Sequence, residues 1–208
     1  MGVLTCLSKP FRPETVVEIF HQHLGIQEGK IRYRPEVIVA FEKCVKEVLN
    51  QYLGDDAVVS DRGTVLPSVL VTDVLSYLPL FGRNVFGSLV IRAERTFLEA
   101  IFNHLFGKEA LGVSQEAIGD LGAELANQFG GALKLEFQKL NVNINIGLPN
   151  TVSGVVRSNY HFVSSSPYQF QIIWKDRAAC VELALSDIRR VGSTFAENEE
   201  FVAFSISD

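Results

Sequence analysis

The run from Ser114 to Leu140 constrains this chain more than any other part of it. It contains no proline, and its apolar residues recur at helical spacing throughout. A helix of that span is roughly 38 Å long, so it needs a long apolar surface to lie on, which a sheet or a second helix supplies. Ser114 suits the N-cap. With Asp120 as the reference direction, Glu124, Asn127, Gly131 and Lys134 fall within about 40° of it. Ile118, Leu121, Leu125, Phe129 and Ala132 lie on the opposite side. The spacing therefore predicts an amphipathic helix whose polar face presents Glu124 and Asn127. Gly130 and Gly131 cost roughly 1 kcal/mol each relative to alanine inside a helix, which points to close packing or an approaching surface.

The remaining elements surround this helix in a characteristic order. Residues 3–7 read as a short strand, and Pro13 suits the first turn of a helix with apolar positions Val16, Val17, Ile19, Phe20 and Leu24. A second helix follows Pro35, with Ile38, Phe41, Val45, Val48, Leu49 and Tyr52 at helical spacing and Gly54 as its stop. Residues 57–80 read as strands and turns, 85–92 as a strand, and 96–106 as a short helix ended by Gly107. Strands over 142–148 and 152–156 follow the long helix. Residues 168–174 and 178–185 form a hairpin around Lys175-Asp176-Arg177, and 201–206 add a further strand. There is no regular β-α-β alternation. The expected fold class is α+β, a largely antiparallel sheet with two long helices packed on one face.

Composition narrows the functional classes. The chain has 208 residues, 47% hydrophobic and 21% charged, with a net charge of −5. That balance suits a protein with a sizeable core and argues against a general nucleic-acid or anionic-membrane surface. No stretch reaches the roughly 18–20 apolar residues of a membrane span, and no secretory leader is evident. Cys6, Cys44 and Cys180 are far apart and read as reduced thiols in a cytoplasmic setting. His21, His23, His104 and His161 have no metal-ligand spacing, so no metal or cofactor of the chain's own is expected.

Asp120-x-x-x-Glu124-x-x-Asn127, followed by Gly131 and Leu148-Pro149-x-x-Val152-Ser153-Gly154, resembles the signature of the CheX/CheC family of chemotaxis phosphatases. That pattern is an acidic or serine residue, then Glu-x-x-Asn, then a proline at close to the spacing found here. Phe86-Gly87-Ser88-Leu89-Val90-Ile91, the helix ending Leu105-Phe106-Gly107 and the late hairpin also stand in the family's order. The resemblance covers residues 35–186. The family has a small polar residue after the glycine, where this chain has Ala132.

The resemblance implies a CheC-like fold, a homodimer and a phosphatase that hydrolyses the aspartyl phosphate of a CheY-like receiver. Asn127 would orient the attacking water. Glu124 would pair with the receiver's active-site lysine, and the Mg²⁺ would belong to that receiver. Asp120 stands at the rim or simply favours the helix N-terminus, and Pro149 is structural. The alternative is a non-catalytic adaptor or output module that binds a receiver through the same face.

Two further resemblances divide the chain. Leu7-Ser8-Lys9-Pro10-Phe11, with a strand before it and a helix after it, resembles the closing segment of a receiver domain. Residues 1–31 are therefore read as a receiver-like remnant or linker, and 32–208 as the CheX-like domain. Glu47-Val-Leu-Asn50-Gln51 echoes Glu124-Leu-Ala-Asn127-Gln128, so Glu47 and Asn50 are candidates for a second copy of the site.

Overall fold

In the computed structural model, the described residues place three helices on one face of a seven-stranded antiparallel sheet. The structure describes residues 32–65, 71–82, 85–107, 112–157, 166–187 and 204–205. The expected strand over 3–7, the helix after Pro13 and the whole of 1–31 lie outside these residues. In chain order the elements are β1 (Arg32–Tyr33), α1 (Pro35–Leu53), β2 (Val58–Thr64), β3 (Val71–Gly82), β4 (Val85–Ala93) and α2 (Arg95–Phe106). They continue with α3 (Gln115–Lys139), β5 (Ile144–Ile146), β6 (Asn150–Arg157), β7 (Tyr168–Trp174), β8 (Arg177–Asp187) and β9 (Phe204–Ser205).

The sheet order is β2-β7-β8-β4-β3-β5, with β6 also paired to β3. Strand β3 is long enough to hold both neighbours end to end. Its first half pairs with β6 as far as Tyr77, and its last three residues pair with β5. Pro79 stands at this changeover, where its carbonyl accepts a hydrogen bond from Gly147 N at 2.9 Å. The loop Gly147-Leu148-Pro149 is thereby fastened to the sheet edge. The expected strand 142–148 is shorter, Ile144–Ile146. The predicted tail strand is represented by Phe204–Ser205, paired antiparallel with β1.

The late hairpin is as expected, except that its turn has two residues. Lys175 and Asp176 both have positive φ, 49° and 60°, which suits the right-handed twist of the two strands, and Arg177 opens β8. Alternation along the strands sorts side chains to two faces. Val74, Leu78 and Leu80 of β3, Leu89 and Ile91 of β4, Val181 and Leu183 of β8 and Phe170 of β7 are buried in the main core, which the three helices cover. Phe41 of α1 meets Phe170 edge-on, with ring centroids 5.2 Å apart.

Candidate functional site

Helix α3 begins where its sequence says it should. Ser114 Oγ accepts a hydrogen bond from Ala117 N at 3.1 Å, satisfying one of the free amides of the first turn. Its apolar stripe, including Ile118, Leu125, Phe129, Leu133 and Phe137, is buried against the sheet and α1. Ala132 is partly buried and packs against the same core. It therefore lies toward the core side of the helix, off the row that carries Glu124 and Asn127.

Asp120, Glu124 and Asn127 are all exposed, as their angular positions predict. The Glu124 carboxylate accepts a hydrogen bond from Gln128 Nε2 at 2.7 Å, one helical turn on. Periodicity alone did not bring Gln128 into the site, although the i,i+4 spacing of Glu and Gln is a readable signal. Tyr52 of α1 is close enough that its phenol is pushed above the ordinary range, first by burial and then by the negative charge of Glu124.

The two adjacent glycines do different things. A Cβ at Gly130 would stand 2.1 Å from Leu78 Cδ2, so the missing side chain lets α3 settle onto β3. Gly122, two turns earlier, does the same over Ser76. A Cβ at Gly131 would meet nothing within 4 Å. Gly131 follows Asn127 by one turn on the polar face, so the surface beyond the amide is low and open. Leu148, in the loop that precedes Pro149, is 88% exposed.

Helix α1 runs antiparallel to α3. Tyr52 is placed near Glu124, Cys44 Sγ donates to Phe129 O at 3.2 Å, and Lys43 Nζ lies 2.9 Å from Glu136 Oε1. Lys139 also contacts that carboxylate, so Lys43 and Lys139 flank Glu136. Their hydrogen bonds hold its carboxyl below the ordinary carboxylate range. Glu47 and Asn50 are exposed on α1. The Glu47 carboxylate lies 3.6 Å from Lys43 Nζ, and the carbonyl of Asn50 accepts the Gly54 amide that ends the helix. Among the described residues no group of three His, Cys, Asp or Glu side chains is placed to hold a metal ion. None of the described helices is long and apolar enough to cross a membrane.

No sequence-family model matches the chain, and no curated protein matches it. Solved structures do. A CheC-like superfamily protein from Shewanella sp. PV-4 aligns with a TM-score of 0.63 at 21% identity, over 74% of this chain and 99% of its own. The chemotaxis protein CheX from Vibrio vulnificus aligns with a TM-score of 0.64 at 18% identity, over 73% and 99%. CheX in the CheX–CheY–BeF₃–Mg²⁺ complex from Borrelia burgdorferi aligns with a TM-score of 0.58 at 18% identity, over 74% and 100%. The antiparallel sheet, the helices on one of its faces and these alignments together give the chain the fold of the CheC and CheX chemotaxis proteins.

Proposed function

We propose that this protein accelerates hydrolysis of the aspartyl phosphate of a CheY-like receiver, with Asn127 and Glu124 as the working residues. One observation carries the reading. Asn127 and Glu124 stand exposed in the middle of α3, one turn apart, with Gly131 leaving low ground beside them. A rigid helix bearing a protruding amide suits insertion into another protein's pocket. The Borrelia complex, in which a CheX of this fold is bound to CheY, supports a receiver as the partner.

The chemistry asks little of the phosphatase beyond placement. An acyl phosphate already has a good leaving group, so the slow part is setting a water in line behind phosphorus. A carboxamide donates and accepts hydrogen bonds at once. Asn127 can therefore hold the water's proton with its oxygen and a phosphoryl oxygen with its NH₂. It is neutral and does not repel the phosphoryl group. Glu124, one turn N-terminal, is placed to accept a charge-assisted hydrogen bond from a cationic group at the rim of the receiver's pocket. Binding would exchange its present Gln128 contact for that lysine. The Mg²⁺ that neutralises the phosphoryl charge is assigned to the receiver.

The test follows the decay of a phosphorylated CheY-like receiver with and without this protein. Faster decay that scales with protein concentration is the expected result. Binding without acceleration would make the chain an adaptor and overturn the enzymatic reading.

A further inference from the structure

The loop between β5 and β6 carries the most exposed large apolar side chain among the described residues, Leu148. A single exposed leucine needs no explanation of its own. Two things set this one apart: how it is held and where it stands. Register pairs Ile146 with Leu80 and Asn150 with Tyr77, so only Gly147, Leu148 and Pro149 bridge the changeover along β3. Gly147 N donates to Pro79 O at 2.9 Å, and a Cβ at Gly147 would stand 3.2 Å from Pro79 Cγ. The leucine thus sits on a short, fastened tip, and burying it against a partner requires little further ordering of the backbone.

The glycines of α3 show what this tip stands beside. A Cβ at Gly122 would meet Thr151 at 3.5 Å, and one at Gly130 would meet Ile146 at 3.4 Å. Thr151 and Ile146 bracket the loop as Gly122 and Gly130 bracket Asn127. The turn that carries Asn127 therefore crosses at the level of Leu148. Direction agrees with level. A Cβ at Gly119 would face Ser153 Oγ on β6 at 3.7 Å, and Gly119, Ala123 and Asn127 follow one another at steps of about 40° along one ridge. Glu136, which meets Lys43 of α1, lies about 180° round the helix from Asn127. The exposed amide thus stands on the β5–β6 side of α3. Glu124 and Gln128 stand nearer α1, beside Tyr52 and Gln51. One flank of the site is polar, and the other ends in an apolar tip.

We propose that Leu148 is the apolar anchor of docking, seated against an apolar patch that borders the receiver's phosphorylated pocket while Asn127 enters that pocket. The proposal rests on the reading of Glu124 and Asn127 as the receiver site. A body that admits Asn127 closes over α3 at this level, and on the β5–β6 side its rim meets the raised leucine. Leu148 touches no reacting atom. It therefore sets affinity, and the choice among receivers by the character of their rims, and leaves the hydrolytic step alone.

Fluorescence anisotropy with a labelled CheY-like receiver, charged with BeF₃⁻ and Mg²⁺ as a stable stand-in for the phosphorylated state, measures docking apart from hydrolysis. Leu148→Ser should weaken binding by about tenfold or more, the scale of leaving one leucine unburied. Leu148→Met should stay within about twofold of the unmodified protein. Leu135→Ser, at the exposed leucine two turns beyond Asn127 on α3, should change binding by less than about twofold. The Leu148→Ser loss should persist in high salt, and the limiting rate of receiver-phosphate decay at saturating protein should move by less than about twofold. Circular dichroism checks that each variant is folded. Unchanged binding by folded Leu148→Ser, where the unmodified protein binds, would overturn this proposal alone. A larger loss from Leu135→Ser would also overturn it, by moving the anchor to the groove between α1 and α3. So would a fall in the protein's own molar mass in solution on Leu148→Ser, by making the tip a contact between copies. No receiver binding by the unmodified protein would overturn this proposal and the receiver reading together. Binding without acceleration would overturn only the hydrolytic reading, and the Leu148 variants would still decide the anchor.

Discussion

Helices α1 and α3 carry the same five-residue pattern, Glu-x-x-Asn-Gln, and use it differently. In α3 the carboxylate of Glu124 is held by a neutral amide, Asn127 sits mid-helix, and Gly131 leaves open space beyond it. In α1 the carboxylate of Glu47 is already paired with Lys43, Asn50 stands in the last turn, and the chain breaks at Gly54. Exposure alone does not separate the two, since all four side chains reach solvent. The difference is commitment. A carboxylate that already shares a cation gains less from a partner's lysine, and an amide at a helix end is held less firmly than one with regular turns on both sides. Resemblance of local sequence therefore does not make two equal sites.

The sharpest break in this comparison is at the two asparagines. Asn127→Ala should lower receiver dephosphorylation by on the order of 10²-fold or more, the usual loss when one oriented group is removed from a transition state. Asn50→Ala should change it by less than about twofold, since no transition-state contact is assigned to it. Glu124→Gln should act on affinity first. It should raise the receiver concentration needed for half-maximal rate by about tenfold, through loss of one charge-assisted contact. That effect should shrink in high salt, whereas the Asn127→Ala defect should not.

The neighbouring glycines sharpen the account in the coin of stability. Gly130→Ala should destabilise by about 1–2 kcal/mol, because the new methyl meets buried Leu78 and overpacking outweighs the propensity gain. Gly131→Ala should stabilise by up to about 1 kcal/mol, because nothing opposes it. Chemical denaturation of the two variants measures both signs. A smaller effect concerns Glu136, whose carboxyl lies below its ordinary range. As pH falls the unfolded chain takes up this proton before the folded one does. The contribution of the Lys43–Glu136–Lys139 cluster is thus complete at neutral pH and lost on acidification through the carboxylate range. Glu136→Gln should flatten that part of the stability–pH curve.

How much of this could be read beforehand depended on distance along the chain. Helix α3, its Ser114 cap, its buried stripe and the outward placement of Glu124 and Asn127 all follow from local periodicity, and the fold agrees. So does the hairpin, although its turn is one residue tighter than expected, because Lys175 and Asp176 take up positive φ. What periodicity does not carry is pairing between distant segments. Arg92 and Glu182 read as ordinary strand residues until β4 and β8 lie side by side. Lys43 and Glu136 likewise meet only because α1 and α3 run antiparallel. The same limit applies to Pro79, whose place inside β3 makes sense only once β5 and β6 are seen to share that strand's edge. The two glycines were legible as a cost, while their division between packing and open space belongs to tertiary structure.

The central claim is that one amide on α3 acts on another protein's phosphoryl group. The most direct measurement is single-turnover decay of a phosphorylated CheY-like receiver, run in parallel with the unmodified protein, Asn127→Ala and Asn50→Ala, with circular dichroism confirming that each is folded. The account predicts fast decay with the unmodified protein and Asn50→Ala, and the receiver's own slow decay with Asn127→Ala. Equal acceleration by a folded Asn127→Ala protein would contradict it.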